Sequence, residues 1–209
     1  MTRALLAAAL AGALLAGCGY GPPPGEKASE LFAGQRLDQA RAALGSSKSD
    51  ERRWAIVRLA RACDPADAPA IAELLDPQRE KTPLVRATAA GALRILGDRA
   101  MLPTLTRSLR DPDTTVRVEA ARAIGYLGGP ADIPALAHAL RSDHDPRARV
   151  EAAYALQRVG SPDALPALAA ALDDMDESVV FASHSALKEL TRRDLPPYRR
   201  QWEGVAVAK

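Results

Sequence analysis

Aromatic residues make up only 4% of this chain, and it holds two cysteines and three histidines. Cysteines at positions 18 and 63 alone cannot supply the disulfide framework of a small secreted scaffold. Charge of a single sign is also missing. The 28 Lys and Arg nearly balance the 26 Asp and Glu, so electrostatics give no reason to expect a nucleic-acid partner. There is no phosphate-cradling glycine loop, nucleophile elbow or Cys-x-x-Cys motif. His138, His144 and His184 share no ligand spacing on one helix face, and none adjoins a glutamate. Asp143-His144-Asp145 offers too few convergent ligands for a metal and is expected to be a solvated loop. No catalytic residue, cofactor or metal ligand is therefore assigned. Long hydrophobic runs are absent too: residues 4–14, all Ala, Leu or Gly, are too few to span a bilayer.

That short run nevertheless has the layout of a secretory signal. Arg3 precedes it, and Leu15-Ala16-Gly17-Cys18 follows it. These four residues resemble the lipobox of bacterial lipoproteins. The resemblance implies that residues 1–17 are removed and that the Cys18 sulfur, a nucleophile as its thiolate, carries a diacylglycerol. The mature protein would then sit in the cell envelope, anchored to a membrane through Cys18 and facing the periplasm. Gly19, where an aspartate would signal inner-membrane retention in enterobacteria, tilts the expectation towards the outer membrane. Residues 18–29 hold Pro22, Pro23 and Pro24 among glycines and read as a tether. Cys63, left alone by lipidation, is expected to be a small buried hydrophobe in a helix.

Beyond the tether the chain repeats. Leu59, Leu93, Ile124, Leu156 and Leu187 fall 34, 31, 32 and 31 residues apart. Seven positions before the first four stand Arg52, Arg86, Arg117 and Arg149. Four positions after the leucine column come Cys63, Gly97, Gly128, Gly160 and Thr191. Pro69, Pro103, Pro134 and Pro166 follow, each six residues ahead of a leucine: Leu75, Leu109, Leu140 and Leu172. Apolar residues recur at steps of three and four within residues 116–128, VRVEAARAIGYLG, as in an amphipathic helix. The glycines predict left-handed helix ends, and the prolines predict first turns of second helices. Aspartates at 111, 113, 143, 145, 174 and 176 lie between units, where they cap helix starts. One pair cannot bury its own apolar stripe, so the pairs must stack. The fold class is all-α: a right-handed α-solenoid of antiparallel helix pairs.

The segments VRATAAGAL, VRVEAARAI and ARVEAAYAL resemble HEAT repeats, in particular the short bacterial type of phycobilisome-lyase-like proteins. The resemblance covers residues 50–191, four pairs plus a final first helix. Residues 30–49 would supply N-terminal capping helices, and residues 192–209 a C-terminal cap and tail whose last five residues fray. It implies that Arg86, Arg117 and Arg149 form a structural ladder with Asp113 and Asp145, weaker in the first two units where Lys48 and Thr82 replace the aspartate. Phe32, Trp54, Phe181, Tyr198 and Trp202 cluster near the ends and are expected to cover open edges. His184, in a column otherwise held by Ile and Ala, should lie near the terminal packing surface. The family's closing segment places a glycine after Leu-Thr, where this chain has Arg192.

For function, the expectation is a binding module rather than an enzyme. Its partner would be another protein held against the second helices, which line the concave face in this family. Column position nominates Glu73, Arg107 and His138, with Arg110, Arg141 and Asp173 a turn away. The alternative is a lyase-like enzyme or accessory of the phycobilisome-lyase type. An exported chain would not meet newly made phycobiliprotein in the cytoplasm, which weighs against it. A plain spacer is the third reading.

Overall fold

The computed structural model describes residues 34–207, so Cys18, the tether and Phe32 lie outside the described residues. Eleven α-helices and no strand occur among them. Helix α1 (Gly34–Ala43) leads into four pairs: α2 (Ser49–Ala62) with α3 (Ala68–Glu73), α4 (Pro83–Leu96) with α5 (Leu102–Ser108), α6 (Thr114–Leu127) with α7 (Ile133–Ser142), and α8 (Pro146–Val159) with α9 (Leu165–Ala170). The chain closes with α10 (Glu177–Thr191) and α11 (Arg199–Val207). The first helices stack on one another, α2 on α4, α4 on α6, α6 on α8 and α8 on α10, and the dense contacts join only neighbouring units. That is solenoid architecture, in which each unit supplies half of its neighbour's core.

The repeated columns form that core. Leu59, Leu93, Ile124, Leu156 and Leu187 are buried on the first helices, Leu140 near the end of α7, and Leu75, Leu109 and Leu172 just after the other second helices. Ile71, Leu105, Leu136 and Leu168, two residues beyond each proline, add a fully buried column that the sequence reading passed over. A buried leucine contributes about 1.5–3 kcal/mol. Pro69, Pro103, Pro134 and Pro166 all sit in the first turn of a second helix, where a missing N–H leaves no hydrogen bond unmade. Each second helix is introduced by a 3-10 turn, and Asp64, Asp98 and Ser161 accept amide hydrogen bonds at the start of three of these turns.

Three helix ends differ from expectation. Gly97 and Gly160 adopt the left-handed conformation, with φ of 74° and 73°. Gly128 does not; its φ is −74° and its backbone is extended. Glycine is needed there for space instead, since a Cβ would stand 2.6 Å from the Ile124 carbonyl oxygen and 2.8 Å from Asp132 Oδ2. Cys63 is not a buried helical residue: it ends α2 half-buried, at φ 54°. Arg192 ends α10 at φ 57°, in the place where the resembling segments carry glycine.

The ends also correct the reading of the aromatics. Trp202 is fully buried, donating from Nε1 to the Pro196 carbonyl at 2.8 Å and lying edge-on to His184 at 5.8 Å. His184 Nε2 lies 2.6 Å from the Leu195 carbonyl oxygen, so both rings fasten the closing segment to α10. Phe181 and Tyr198 instead remain exposed, 69% and 66%, and Trp54 is half exposed beside Arg58. The positions equivalent to Phe181, Val118 and Val150, are partly covered because a further unit follows them. Among the described residues only α11 follows α10, and it leaves Phe181 uncovered. At the other end α1 buries Ala40 completely and packs Leu37 against the core. Helix α11 continues through Val207, past the point where fraying is expected.

Two substitutions test this account. Gly125→Ala should destabilise by about 1–3 kcal/mol in urea unfolding, because its Cβ would fall 2.7 Å from the Ala155 Cα, and backbone cannot step aside. Arg192→Gly should instead stabilise by about 0.5–1 kcal/mol, since the left-handed strain exceeds glycine's entropic cost.

Candidate functional site

Two sets of charged groups recur along the repeats, one inside the stack and one on the second-helix side. The interior set is the arginine ladder. Arg86 donates Nε and Nη2 to both carboxylate oxygens of Asp111 at 2.8 Å each, Arg117 does the same to Asp143 at 2.7 and 2.9 Å, and Arg149 to Asp174 at 2.8 Å. Arg52 makes the equivalent pair with Glu80 at 2.5 and 2.8 Å. The third guanidinium nitrogen reaches backwards. Nη1 of Arg52, Arg86, Arg117 and Arg149 donates to the carbonyls of Ser46, Glu80, Asp111 and Asp143 at 2.7–2.9 Å. Each of Glu80, Asp111 and Asp143 therefore binds one arginine by its side chain and the next by its backbone. Each rung carboxylate also accepts the amide two residues on, at Thr82, Asp113, Asp145 and Asp176.

The acceptors are thus Asp111, Asp143 and Asp174, and not Asp113 and Asp145 as expected. Asp113 and Asp145 lie at the helix starts, where their side chains take the amides of Thr115, Val116 and Arg147. They reach Arg86 and Arg117 only through space, as nearby negative charges. The ladder is also not weak where Lys48 and Thr82 replace the capping aspartate. Arg86 and Asp111 are its most buried pair, with 3% and 1% of their side chains exposed. The residue that matters stands two positions before the cap, and there the chain has Glu80 and Asp111.

These partners shift the carboxylates. Burial pushes Asp143 up, but hydrogen bonds from Arg117 and the Asp145 amide, with the charges of Arg117 and His144, more than offset it and leave its pKa below the ordinary aspartate value. Glu80 is lowered in the same way, against burial, by Arg52 and the Thr82 amide. His144 stands in the solvent, Nε2 3.2 Å from Arg117 Nη2. With Asp143 held by Arg117 and Asp145 by Arg147, the flanking carboxylates are occupied. No group of three or more His, Cys, Asp or Glu among the described residues could hold a metal ion.

The second set contains all six nominated face residues: Glu73 on α3, Arg107 on α5, His138 and Arg141 on α7, Arg110 just past the end of α5, and Asp173 in the 3-10 turn that follows α9. Glu73, Arg107 and Arg110 line a cleft of about 590 Å³ between the first two second helices. Arg107, Arg110 and His138 share the next, about 430 Å³, floored by Leu109, Ala135 and Ala139. Arg141 and Asp173 line a third of about 380 Å³. The clefts thus bring the nominated residues together in adjoining groups. Glu73 is paired with Arg79 at 2.6 Å, and Asp173 with Arg199 at 3.1 Å. Neither Arg79 nor Arg199 was nominated from the sequence; one follows α3 in a loop and the other starts α11, outside the repeat columns.

Comparison with known proteins follows the architecture. A family model described as HEAT repeats matches residues 37–117 and 102–188. Among solved structures, the complex of CpcE and CpcF of phycocyanin lyase from Nostoc sp. PCC7120 is similar at 24% identity and a TM-score of 0.64, covering 90% of this chain and 72% of that one. An engineered protein is similar at 21% identity and a TM-score of 0.53, covering 75% of this chain and 79% of that one. No curated protein matches the sequence.

The ladder geometry makes a stability prediction with a definite sign. Arg117→Ala should cost about 3–5 kcal/mol in urea unfolding by stranding the buried Asp143, whereas Arg117→Met with Asp143→Leu should be near neutral at pH 7. A carboxylate lowered in the folded state stabilises above its unfolded pKa, and that contribution fades as the pH falls through its folded value. Wild type should therefore lose stability progressively below about pH 4, and the double variant should show a shallower acid slope.

Proposed function

Because this chain belongs to the HEAT-repeat family, we propose that it is a lipid-anchored protein of the cell envelope whose solenoid holds another protein against its second-helix face. One observation carries the binding half of this reading. The buried carboxylates are consumed by arginines, Glu80, Asp111 and Asp143 in the ladder, Asp67 by Arg41 and Glu151 by Arg122 and Arg158, while the second-helix side presents adjoining clefts lined by exposed Arg107, Arg110, His138 and Arg141, which the fold does not need. Side chains free of structural duty along a continuous surface suit recognition of a long partner. The phycocyanin lyase of the same fold is itself a complex of two chains, which fits a solenoid used for assembly.

The anchoring half rests on Leu15-Ala16-Gly17-Cys18 and the proline-rich stretch behind it. No helix among the described residues is long and apolar enough to cross a membrane, so attachment would depend on the lipid at Cys18. The second-helix face, held off the bilayer by the tether, would remain open to a periplasmic protein.

Membrane fractionation and crosslinking test the two halves together. Wild type should sediment with membranes and Cys18→Ser should move to the soluble fraction; a Cys18→Ser protein that still sediments with membranes removes the anchor. Crosslinking in cells, followed by gentle solubilisation, should yield one stoichiometric partner protein. No reproducible partner would remove the scaffold reading.

A further inference from the structure

The charges on the second-helix side are not evenly mixed. Arg107 and Arg110 stand one turn apart on and just after α5, and His138 and Arg141 one turn apart on α7. All four are exposed. Among the described residues, no carboxylate pairs with Arg107, Arg110 or Arg141; Arg107 donates only to the Thr104 hydroxyl, at 3.0 Å. Of the acids that line the same clefts, all but Asp76 are already engaged by arginines. Asp111, Asp143 and Asp174 are locked in the ladder, and Glu73 and Asp173 are held by Arg79 and Arg199. What remains is a cationic strip across the middle of the surface, bounded by Glu73 and Asp76 at one end and Asp173 at the other.

Building on the binding role proposed above, we infer that this strip receives an acidic polypeptide segment, rich in Asp and Glu, lying across α5 and α7. Neighbouring helices sit about 8–10 Å apart, and an extended chain advances about 3.3 Å per residue, so carboxylates about three residues apart would meet successive helices. Guanidiniums match carboxylates through paired hydrogen bonds. Leu109, Ala135 and Ala139 give the cleft between Arg107 and His138 an apolar floor that can take a side chain of the segment between its acids. The bounding carboxylates favour a narrow ligand over a broad one. A flat anionic membrane pressed on this side would bring its phosphates onto Glu73, Asp76 and Asp173, whereas a single strand fits between them.

The test is fluorescence anisotropy of a labelled glutamate-rich peptide titrated with the purified full chain. Binding should weaken with added salt and fall at least about tenfold in the triple variant Arg107→Glu, Arg110→Glu, Arg141→Glu. It should fall by less in the neutral triple variant with Gln at the same positions, which keeps the helix surface covered if the reversal disturbs folding. Arg193→Glu, an exposed arginine beyond α10, should leave binding unchanged. Absence of peptide binding, equal binding by both triple variants and wild type, or binding confined to phosphatidylglycerol vesicles would each overturn the inference. A crosslinked partner retained by the charge-reversed chain would overturn it too, while leaving the scaffold reading intact.

Discussion

The guanidinium–carboxylate chain running through the turns is the interaction on which the stack depends. Helix pairs with small interior residues pack well along their apolar stripes, but such stripes fix register loosely, because alanine columns slide past one another at little cost. A two-point bond from Arg86 to Asp111, with a third to the carbonyl of Glu80, sets both the distance and the rotation of one unit against the next. The buried pairs need not add much net stability, since desolvation offsets much of their attraction. Their contribution is specificity: a unit shifted by one turn would leave a charged group buried without its partner.

That division of labour explains which parts of the molecule were legible in the sequence. The helix pairs were, because leucine, proline and arginine columns recur at matching offsets and each has a local physical meaning. The rung acceptors were not, although the acids concerned stood in plain view. Asp111 and Asp113 differ by two residues in a tight turn and carry the same chemistry. Which one faces inward depends on the backbone of the turn, and spacing between helices does not report it. A signal was available in the column two residues before each cap, where Glu80 keeps a carboxylate although Thr82 does not.

The ends were the least legible part, for a related reason. A periodic pattern describes residues that have neighbours on both sides, and terminal residues do not. Trp202 is buried because His184 and the Pro196 carbonyl give its ring and N–H a place. Phe181 is exposed because the column it belongs to is normally covered by a following unit. Both are aromatics close to the C-terminus, and composition alone cannot separate them. The recognition face was legible to the level of column position: Arg107, Arg110, His138 and Arg141 could be placed on the second helices. Glu73 and Asp173 were placed there as well, but their partners Arg79 and Arg199 lie outside the columns, so the excess of free positive charge emerged only from the geometry.

The rungs also show where this chain tolerates a change in length. From each rung acid to the next arginine is always six residues, whereas from arginine to its acid the separation is 28 in the first unit and 25 or 26 in the others. The additional residues of the first unit therefore lie ahead of Glu80, and the longer glutamate side chain still closes the rung. The segment that can be lengthened without breaking the stack thus runs from each arginine to its acid, while the six-residue turn that follows is fixed. A whole unit repeated in tandem would restore its joints wherever it is cut, because the six residues from acid to arginine are remade at every seam.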